Sequence, residues 1–403
     1  MIILAGADVV LPDRVLTGAT IVIDEGAIVA VEPRVRPRDP DTLHVDLTGH
    51  VIVPGFIDVH VHGVEGHDVL AGPGAVRAVA ERLPRWGVTA FCPTTIACSP
   101  QDLSGMFDDI ARIRTGGHVT GARVLPAHLE SNFINEDYRG AQPAACLRVP
   151  PLKPNLATRS VAPPGASSYT AEDLLSTIGA YRSDVGIVTL APELERGLDL
   201  VRALVAAGIR VSLGHSGATY DEAMAAIDAG ARHATHLFNR MRPMTHRDPG
   251  LTGAVLASGE IAAELICDGV HVHPAALRVA IAAKGVERIM AITDGTAGSG
   301  LPRGARATLG GQPIIVGDTA TLADGTLAGS VLTMDRAFAT LAGTAGVSLP
   351  DAASMCATTP ARELGLQGLG VIAPGAHADL AVLDANFRVR QTWLGGVMVF
   401  SEQ

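Results

Sequence analysis

Residues 51–62 read VIVPGFIDVHVH, an apolar run that closes on His60-Val61-His62. A continuous run of this kind, rich in β-branched residues, reads as a strand buried on both faces, as in parallel sheets. Residues two apart in a strand face the same side, so both imidazoles can point into the fold from the strand's C-terminal end. Seven further runs have the same character: VTAFCPTTI, VLPAHLES, GIVTLAPE, IRVSLGHS, HATHLF, IAAELICDG and RIMAITDG. Amphipathic helical segments lie between several of them, such as RGLDLVRALVAAG and TYDEAMAAIDAG, each ended by a glycine cap. Strands alternating with helices imply a parallel sheet, and eight such units predict an α/β fold, a closed (β/α)8 TIM-like barrel. No GxGxxG follows the first strand, which weighs against an open dinucleotide-binding sheet.

Upstream of the first run, residues 1–53 read as short strands joined by turns. ATIVIDEGAIVAVEP alternates apolar and polar residues around Glu25-Gly26, a hairpin signal. The stretch 371–403 repeats that character. Together the ends predict a small β-sandwich domain built from both termini, residues 1–53 plus 355–403, flanking a barrel over residues 54–354. Two unrelated appendages are the alternative. Residues 138–170 are proline-rich and lack periodicity, and so are expected to form a lid or rim of the site.

Most of the strand ends carry a polar residue: His60 and His62, Glu130, Glu193, His215, His236, Asp268 and Asp294. In a closed barrel these ends converge on one mouth. A packed barrel has no need of ionisable groups at its rim in this density, so the coincidence points to chemistry. Imidazole is the commonest protein ligand for zinc and similar ions. Glu130, His215 and His236 supply three ligands and leave a position open for water. Each residue also has a plainer reading. The histidines can bond to neighbours at the rim, Glu130 can pair with an arginine, and Asp294 can cap a helix. His128 and His233 read as packing residues or as supports for the ligands. Beside a metal-bound water, whose pKa falls towards about 7, Asp294 would serve as general base and acid.

Composition narrows the class. Apolar residues make up 47% of the 403, but aromatics only 3%, so the core must be built from Ala, Val, Leu and Ile. The net charge of -10 argues against a nucleic-acid surface. An anionic ligand would need locally placed Arg, His or backbone donors. Of the 31 basic residues only Lys153 and Lys284 are lysine. Five cysteines with no CxxC fit a reduced, cytoplasmic protein. The N-terminus lacks a basic region and meets Asp8 early, unlike a signal peptide, and no apolar run is long enough to cross a membrane.

The order HxH, HLE, GHS, THLFN, DGxHVHP, TD resembles the amidohydrolase superfamily and, within it, the N-acetylglucosamine-6-phosphate deacetylase family. The likeness runs nearly end to end: PGFIDVHVHG (54–63), HLESNFINEDYRGAQ (128–142), GHSGATYDEA (214–223), ATHLFNRM (234–241), HRDPGL (246–251), DGVHVHP (268–274), TDGTAGSGLP (293–302) and APGAHADLAVLD (373–384). The resemblance implies a metal-dependent hydrolase that deacetylates an N-acetyl amino-sugar 6-phosphate. It implies Glu130, His215 and His236 as ligands of the main metal, His60 and His62 as a second metal position, and Asp294 as the catalytic acid/base. It implies Gln142 beside the acetyl carbonyl, and Asn239, the backbone at Arg240, Arg247 and His271 around the phosphate. Leu327, Ala328 and Gly329 would line the sugar pocket. Arg247 would reach the neighbouring subunit's site, so a homodimer is implied. The cofactor would be a divalent metal, Zn or Fe(II), one or two per subunit. Neither lysine is placed to bridge two metals as a carboxylated residue, so Glu130 must take the anionic role. Three positions depart from the family's usual HLEGPF, FNAM and TDA: Ser131-Asn132, Arg240 and Gly295. The alternatives are an amidohydrolase for another N-acyl or cyclic-amide substrate, and a non-catalytic barrel that binds sugar phosphate.

Overall fold

The computed structural model describes residues 1–34, 42–116, 120–157 and 168–402. Its larger unit is a barrel of parallel strands. In chain order these are Phe56–Val61, Val88–Thr95, the broken third strand Arg123–Val124 and Ala127–Glu130, Val185–Leu190, Arg210–Leu213, His233–Ala234, Ala262–Ile266 and Ile289–Ile292. Each pairs with its neighbour in sequence. The eighth returns to the first through hydrogen bonds from Asp294 N to His60 O (2.9 Å) and from His62 N to Gly295 O (2.7 Å). All eight lie in the runs read from the sequence to within one residue at their starts. Phe56–Val61 and Val88–Thr95 are buried along their whole length, because one face packs inside the barrel and the other lies under helices.

Local chemistry sets the helix ends. Ser99 with Asp102, Thr170 with Asp173 and Thr219 with Glu222 form reciprocal capping boxes, which satisfy backbone N–H groups that the first turn leaves without partners. The two glycines expected to end helices, Gly208 and Gly230, have positive φ (75° and 111°). Five of the eight phenylalanines, Phe56, Phe91, Phe107, Phe133 and Phe338, sit deep. Phe56 and Phe338 are fully buried with ring centroids 5.6 Å apart.

The smaller unit is a sheet built from both termini. Its path runs Val397–Ser401, Val389–Leu394, Leu380–Leu383, Val51–Pro54, Ile2–Val10, Val15–Asp24 and Ala27–Glu32, with Leu43–Asp46 also paired to Ile2–Val10. Ile28 near one end of the path and Trp393 near the other share one apolar core with Leu4, Ile21 and Val382. The sheet therefore curls until its two outer hairpins meet: a Cβ on Gly26 would lie 2.9 Å from the carbonyl oxygen of Gly395. Not all of the stretch from 355 onward lies in this unit. The helical segments through Ser354–Thr358 and Thr359–Leu364 pack against the first and eighth barrel strands, with Met355, Cys356 and Ala361 in the barrel core. A three-stranded sheet, Arg306–Leu309, Gln312–Val316 and Ala320–Thr321, follows the last barrel strand and was not expected from the sequence. Part of the proline-rich loop, 158–167, lies outside the described residues.

Asp379 ties the two units together. Arg123, on the third barrel strand, donates to it twice, from Nε at 2.8 Å and Nη2 at 3.1 Å. The same carboxylate accepts Gly395 N at 2.7 Å, and its own carbonyl accepts Gly55 N at 2.9 Å. The Asp379 side chain is 2% exposed and that of Arg123 is 36% exposed, so loss of the acceptor leaves the guanidinium access to water. Asp379→Ala is expected to lower unfolding free energy by about 1.5–3 kcal/mol, the range for hydrogen bonds to a charged group. Denaturant unfolding checks this, and an unchanged midpoint would show that the clamp contributes nothing.

Candidate metal centre

Glu130 is the last residue of its strand, while His215, His236 and Asp294 each lie two residues beyond theirs. At those three positions the backbone turns sharply. Their φ values are 48°, 32° and 49°, in the left-handed region that residues with a Cβ seldom occupy and that costs about 1–3 kcal/mol each. Neighbouring bonds hold the turns. After His215, Glu193 accepts Ser216 Oγ at 2.7 Å, Gly217 N at 2.5 Å and Asn135 Nδ2 at 2.9 Å. Glu193 is thus a clamp on the turn that aims His215. At Asp294 the carbonyl accepts Ser330 N at 2.7 Å.

The partners of the imidazoles fix their protons. A carbonyl oxygen can only accept, so His62 Nδ1–H donates to Thr94 O (3.0 Å) and His215 Nδ1–H to Tyr138 O (2.9 Å). His60 Nδ1–H donates to Glu264 Oε2 at 2.9 Å. All three rings therefore present a bare Nε2 to the centre. His215 Nε2 and His236 Nε2 are each 2.8 Å from Glu130 Oε1 and 3.0 Å from each other. His60 Nε2 is 3.3 Å from His62 Nε2, and Asp294 Oδ1 is 3.1 Å from His62 Nε2 and 3.4 Å from His60 Nε2. Bare nitrogen lone pairs packed this closely repel one another unless a cation lies between them. The donor set thus fits a divalent metal, with ligand atoms grouped as Glu130, His215 and His236, and as His60, His62 and Glu130.

Burial and charge act against each other here. Burial alone would raise the Glu130 carboxyl, but the His215 and His236 rings, whose Nε2 atoms stand 2.8 Å from it, hold it well below the usual carboxylate range. Burial likewise opposes ionisation of Asp294, and the neighbouring His60 and His62 override it downward. Burial pushes His60 down to about 4. For His236 burial is outweighed by its hydrogen bond to Glu130 and that group's charge, which lift it to about 9. The protein holds its anions ionised and aims its ring nitrogens at them, as a cation site requires.

Above this floor opens a cavity. Gln142, Asn239, Arg240, His271, Leu327 and Gly329 line it together with the candidate ligands. Ala97 N donates to Gln142 Oε1 at 2.6 Å, which turns the Gln142 amide nitrogen towards Glu130 Oε2. His271 Nδ1–H donates to Asp268 Oδ2 at 2.6 Å. Burial lowers this ring's basicity, but the Asp268 bond and charge more than offset that and raise it. Arg240 lies across Gly140 (φ +60°), where a Cβ would stand 2.6 Å from the guanidinium Nε. His60 is sealed beneath the floor and does not line the cavity. Ala328 packs in a separate apolar cluster with Ile96 and Ile314, so its side chain faces away. Arg247 is exposed and does not line this cavity. His128 donates to Val59 O at 3.0 Å and pairs with Thr189 Oγ1 at 2.8 Å, as a support inside the barrel.

The departures from the family pattern have local partners. Ser131 Oγ donates to Thr189 O at 2.5 Å, and Asn132 Nδ2 reaches Cys98 O and Cys146 O, both at 2.8 Å. A Cβ on Gly295 would stand 2.8 Å from both Ser299 Oγ and Thr293 Oγ1. Sequence reading missed the carbonyls of Thr94 and Tyr138, the amide of Ala97, Leu309 in the cavity wall, and Glu264. Only Glu264 carried a readable signal: a lone charge inside the apolar run IAAELI.

Residues 51–399 match the amidohydrolase family. The chain is 38% identical over 372 residues to N-acetylglucosamine-6-phosphate deacetylase of Rattus norvegicus, covering 89% of this chain and 85% of the relative. It is 35% identical over 381 residues to N-acetylgalactosamine-6-phosphate deacetylase of Escherichia coli O157:H7, covering 93% of each. A mutant N-acetyl-D-glucosamine-6-phosphate deacetylase from Mycobacterium smegmatis, solved in complex with N-acetyl-D-glucosamine-6-phosphate, superposes with a TM-score of 0.86 at 31% identity over 99% of each chain. By fold and by kinship, the chain belongs to the amidohydrolase family and, within it, to the N-acetylglucosamine-6-phosphate deacetylase family.

Proposed function

We propose that this protein hydrolyses the acetamide of an N-acetylated hexosamine 6-phosphate, with N-acetylglucosamine 6-phosphate as substrate and glucosamine 6-phosphate and acetate as products. One observation carries the reading: bare imidazole nitrogens, Glu130 and Asp294 meet at the floor of a cavity whose walls hold donors suited to a phosphate. The names of the relatives support it. Glu130, His215 and His236 would hold one divalent ion, and His60 and His62 with Glu130 a second. Zinc and ferrous iron both accept such an imidazole-and-carboxylate set. When bound, the metal lowers the pKa of water and polarises the acetyl carbonyl.

The chain's own residues do the rest. Asp294 takes the proton of the attacking water and returns it to the amine nitrogen as the carbon–nitrogen bond breaks. Gln142, held by Ala97, directs its amide N–H to the acetyl oxygen. His271, Asn239 and the backbone at Arg240 fix the phosphate, with the Arg240 guanidinium adding positive charge, so that the acetamide is oriented over the floor. Leu327 and Gly329 border the sugar. Arg247 completes the phosphate site of a second copy, which makes the working form a homodimer. All five cysteines are free, in keeping with a reducing cytoplasm. No helix among the described residues is long and apolar enough to cross a membrane.

Acetate release from a panel of N-acetylhexosamine 6-phosphates, run after metal removal and again after zinc or ferrous add-back, tests the reading. Activity should vanish on removal, return on add-back, and be highest with the glucosamine derivative. A preference for the galactosamine epimer would move the substrate, and no acetate release from any of them would end the proposal. Asp294→Asn should lower kcat by about 100- to 10,000-fold, the usual worth of general acid–base catalysis, with metal content intact. Near-normal turnover would remove Asp294 from the mechanism. Arg247→Ala should raise KM for the phosphorylated sugar far more than for its unphosphorylated analogue. Equal effects on the two would show that Arg247 has no part in holding phosphate.

A further inference from the structure

The cavity wall holds one apolar residue to which the proposed reaction gives no role. Leu309 closes the strand Arg306–Leu309, and the turn after it, Gly310-Gly311, has positive φ at both positions (55° and 79°), as a tight two-residue hairpin requires. The tip of this hairpin faces the cavity: Leu309 lines it and is 3% exposed. Asp68, just beyond the first barrel strand, accepts Thr308 Oγ1 at 3.2 Å and Gly310 N at 2.6 Å, so it grips the residues on either side of Leu309. Across the hairpin, Gln312 donates its amide to Ala141 O at 3.0 Å. Gly310 is pressed against Ile96, whose Cδ1 a Cβ at that position would overlap. Behind the cavity face, Leu309 packs in a small apolar cluster with Ile96, Ile314, Ala320 and Ala328, separate from the barrel core. A side chain pinned in this way has little freedom to retreat.

That cluster borders Gln142 through both of its supports. Ile96 immediately precedes Ala97, whose N–H holds the Gln142 side-chain carbonyl, and Ala141, which immediately precedes Gln142, packs against the same cluster. In the proposed reaction Gln142 directs its N–H to the acyl oxygen. The carbon chain beyond that carbonyl therefore lies beside Gln142 as well. Among the described residues, only Ala141, Leu309 and Leu327 give the cavity apolar side chains. Leu327 is 40% exposed, at the mouth, which leaves Leu309 and Ala141 as the buried apolar wall. An acetyl methyl gains from contact with such a wall, whereas each further methylene must displace a fixed side chain. We infer that Leu309 is the stop that sets acyl length, so that the site takes an acetyl group and excludes propionyl and longer amides of the same sugar phosphate. The inference rests on the deacetylase reading and specifies the acyl half of its substrate.

Hydrolysis of N-acetyl-, N-propionyl- and N-butyrylglucosamine 6-phosphate by the full-length, metal-loaded protein tests it, and the readout is the ratio of kcat/KM for propionyl to that for acetyl. The wild type should favour acetyl by about 10- to 200-fold, the usual worth of one methylene in an apolar pocket. Leu309→Ala should raise the propionyl-to-acetyl ratio by about tenfold or more and bring the butyryl compound into reach. A merely structural role would lower the rates for all three together and leave the ratio where it was. Leu327→Ala, at the mouth, should not move the ratio. A wild type that takes acetyl and propionyl equally would overturn the inference. So would an unmoved ratio in Leu309→Ala, or an equal rise in Leu327→Ala. If the Ala variant does not fold, Leu309→Val decides, because valine suits a strand and removes one methylene from the wall. Its ratio should rise about threefold or more, and an unmoved ratio overturns the inference. No acetate release from the acetyl compound would end the deacetylase reading and this inference with it, whereas acetate release with an unmoved ratio ends this inference alone.

Discussion

The barrel closes where Asp294 N donates to His60 O and His62 N donates to Gly295 O. Those bonds join the first strand to the eighth, and every other relation at the site follows from them. They set Asp294 Oδ1 3.1 Å from His62 Nε2, and they turn the ends of the intervening strands inward on the same axis. A parallel sheet left open at this seam would splay its strand ends, and residues so far apart in sequence would have no common centre. Closure is therefore also what converts a scatter of imidazoles and carboxylates into one cluster.

The cluster is held at some cost. His215, His236 and Asp294 adopt left-handed backbone, Glu130 and Asp294 are kept ionised although buried, and Glu264 is sealed in the interior. The surroundings fix several of the site groups by hydrogen bonds from elsewhere in the fold: Glu193 beneath the His215 turn, Ser330 at Asp294, and Thr94 O and Tyr138 O behind the His62 and His215 rings. Strain of this kind persists where surrounding structure over-determines it, and here it aims side chains at one point rather than letting each relax.

The strands were legible because an apolar run bounded by glycine or a polar end is a local pattern. The ligand candidates were legible because they fall at the ends of those runs. What escaped reading has no side-chain signature: the carbonyls of Thr94 and Tyr138 act through the main chain, and any residue could supply them. The sheet at Arg306–Thr321 is made of short strands without strong alternation. The helical stretch Ser354–Leu364 is followed by a loop and then by the terminal strands from Leu380, and composition alone did not separate it from them. Ala328 shows the limit of motif reading, because its neighbours Leu327 and Gly329 face the cavity while its own methyl packs elsewhere. Glu264 was visible as a lone charge in an apolar run, but its partner His60 lies on a strand that only closure brings near.

The smaller sheet draws adjacent strands from opposite ends of the chain: Leu380–Leu383 lies against Val51–Pro54 in antiparallel register. On the ribosome, the N-terminal strands emerge long before their C-terminal neighbours exist, and the barrel strands are all synthesised in the interval. Throughout that time Val51–Pro54 offers an unpaired apolar edge directly upstream of the first barrel strand, a surface prone to wrong pairing. Emergence of residues 379–401 both completes the sheet and seats Asp379 against Arg123. The architecture thus makes the emergence of the strands from Leu380 onward the moment at which the fold becomes self-sufficient. A nascent chain halted shortly before it would carry every residue of the metal centre and still lack the strands that shield its entry edge.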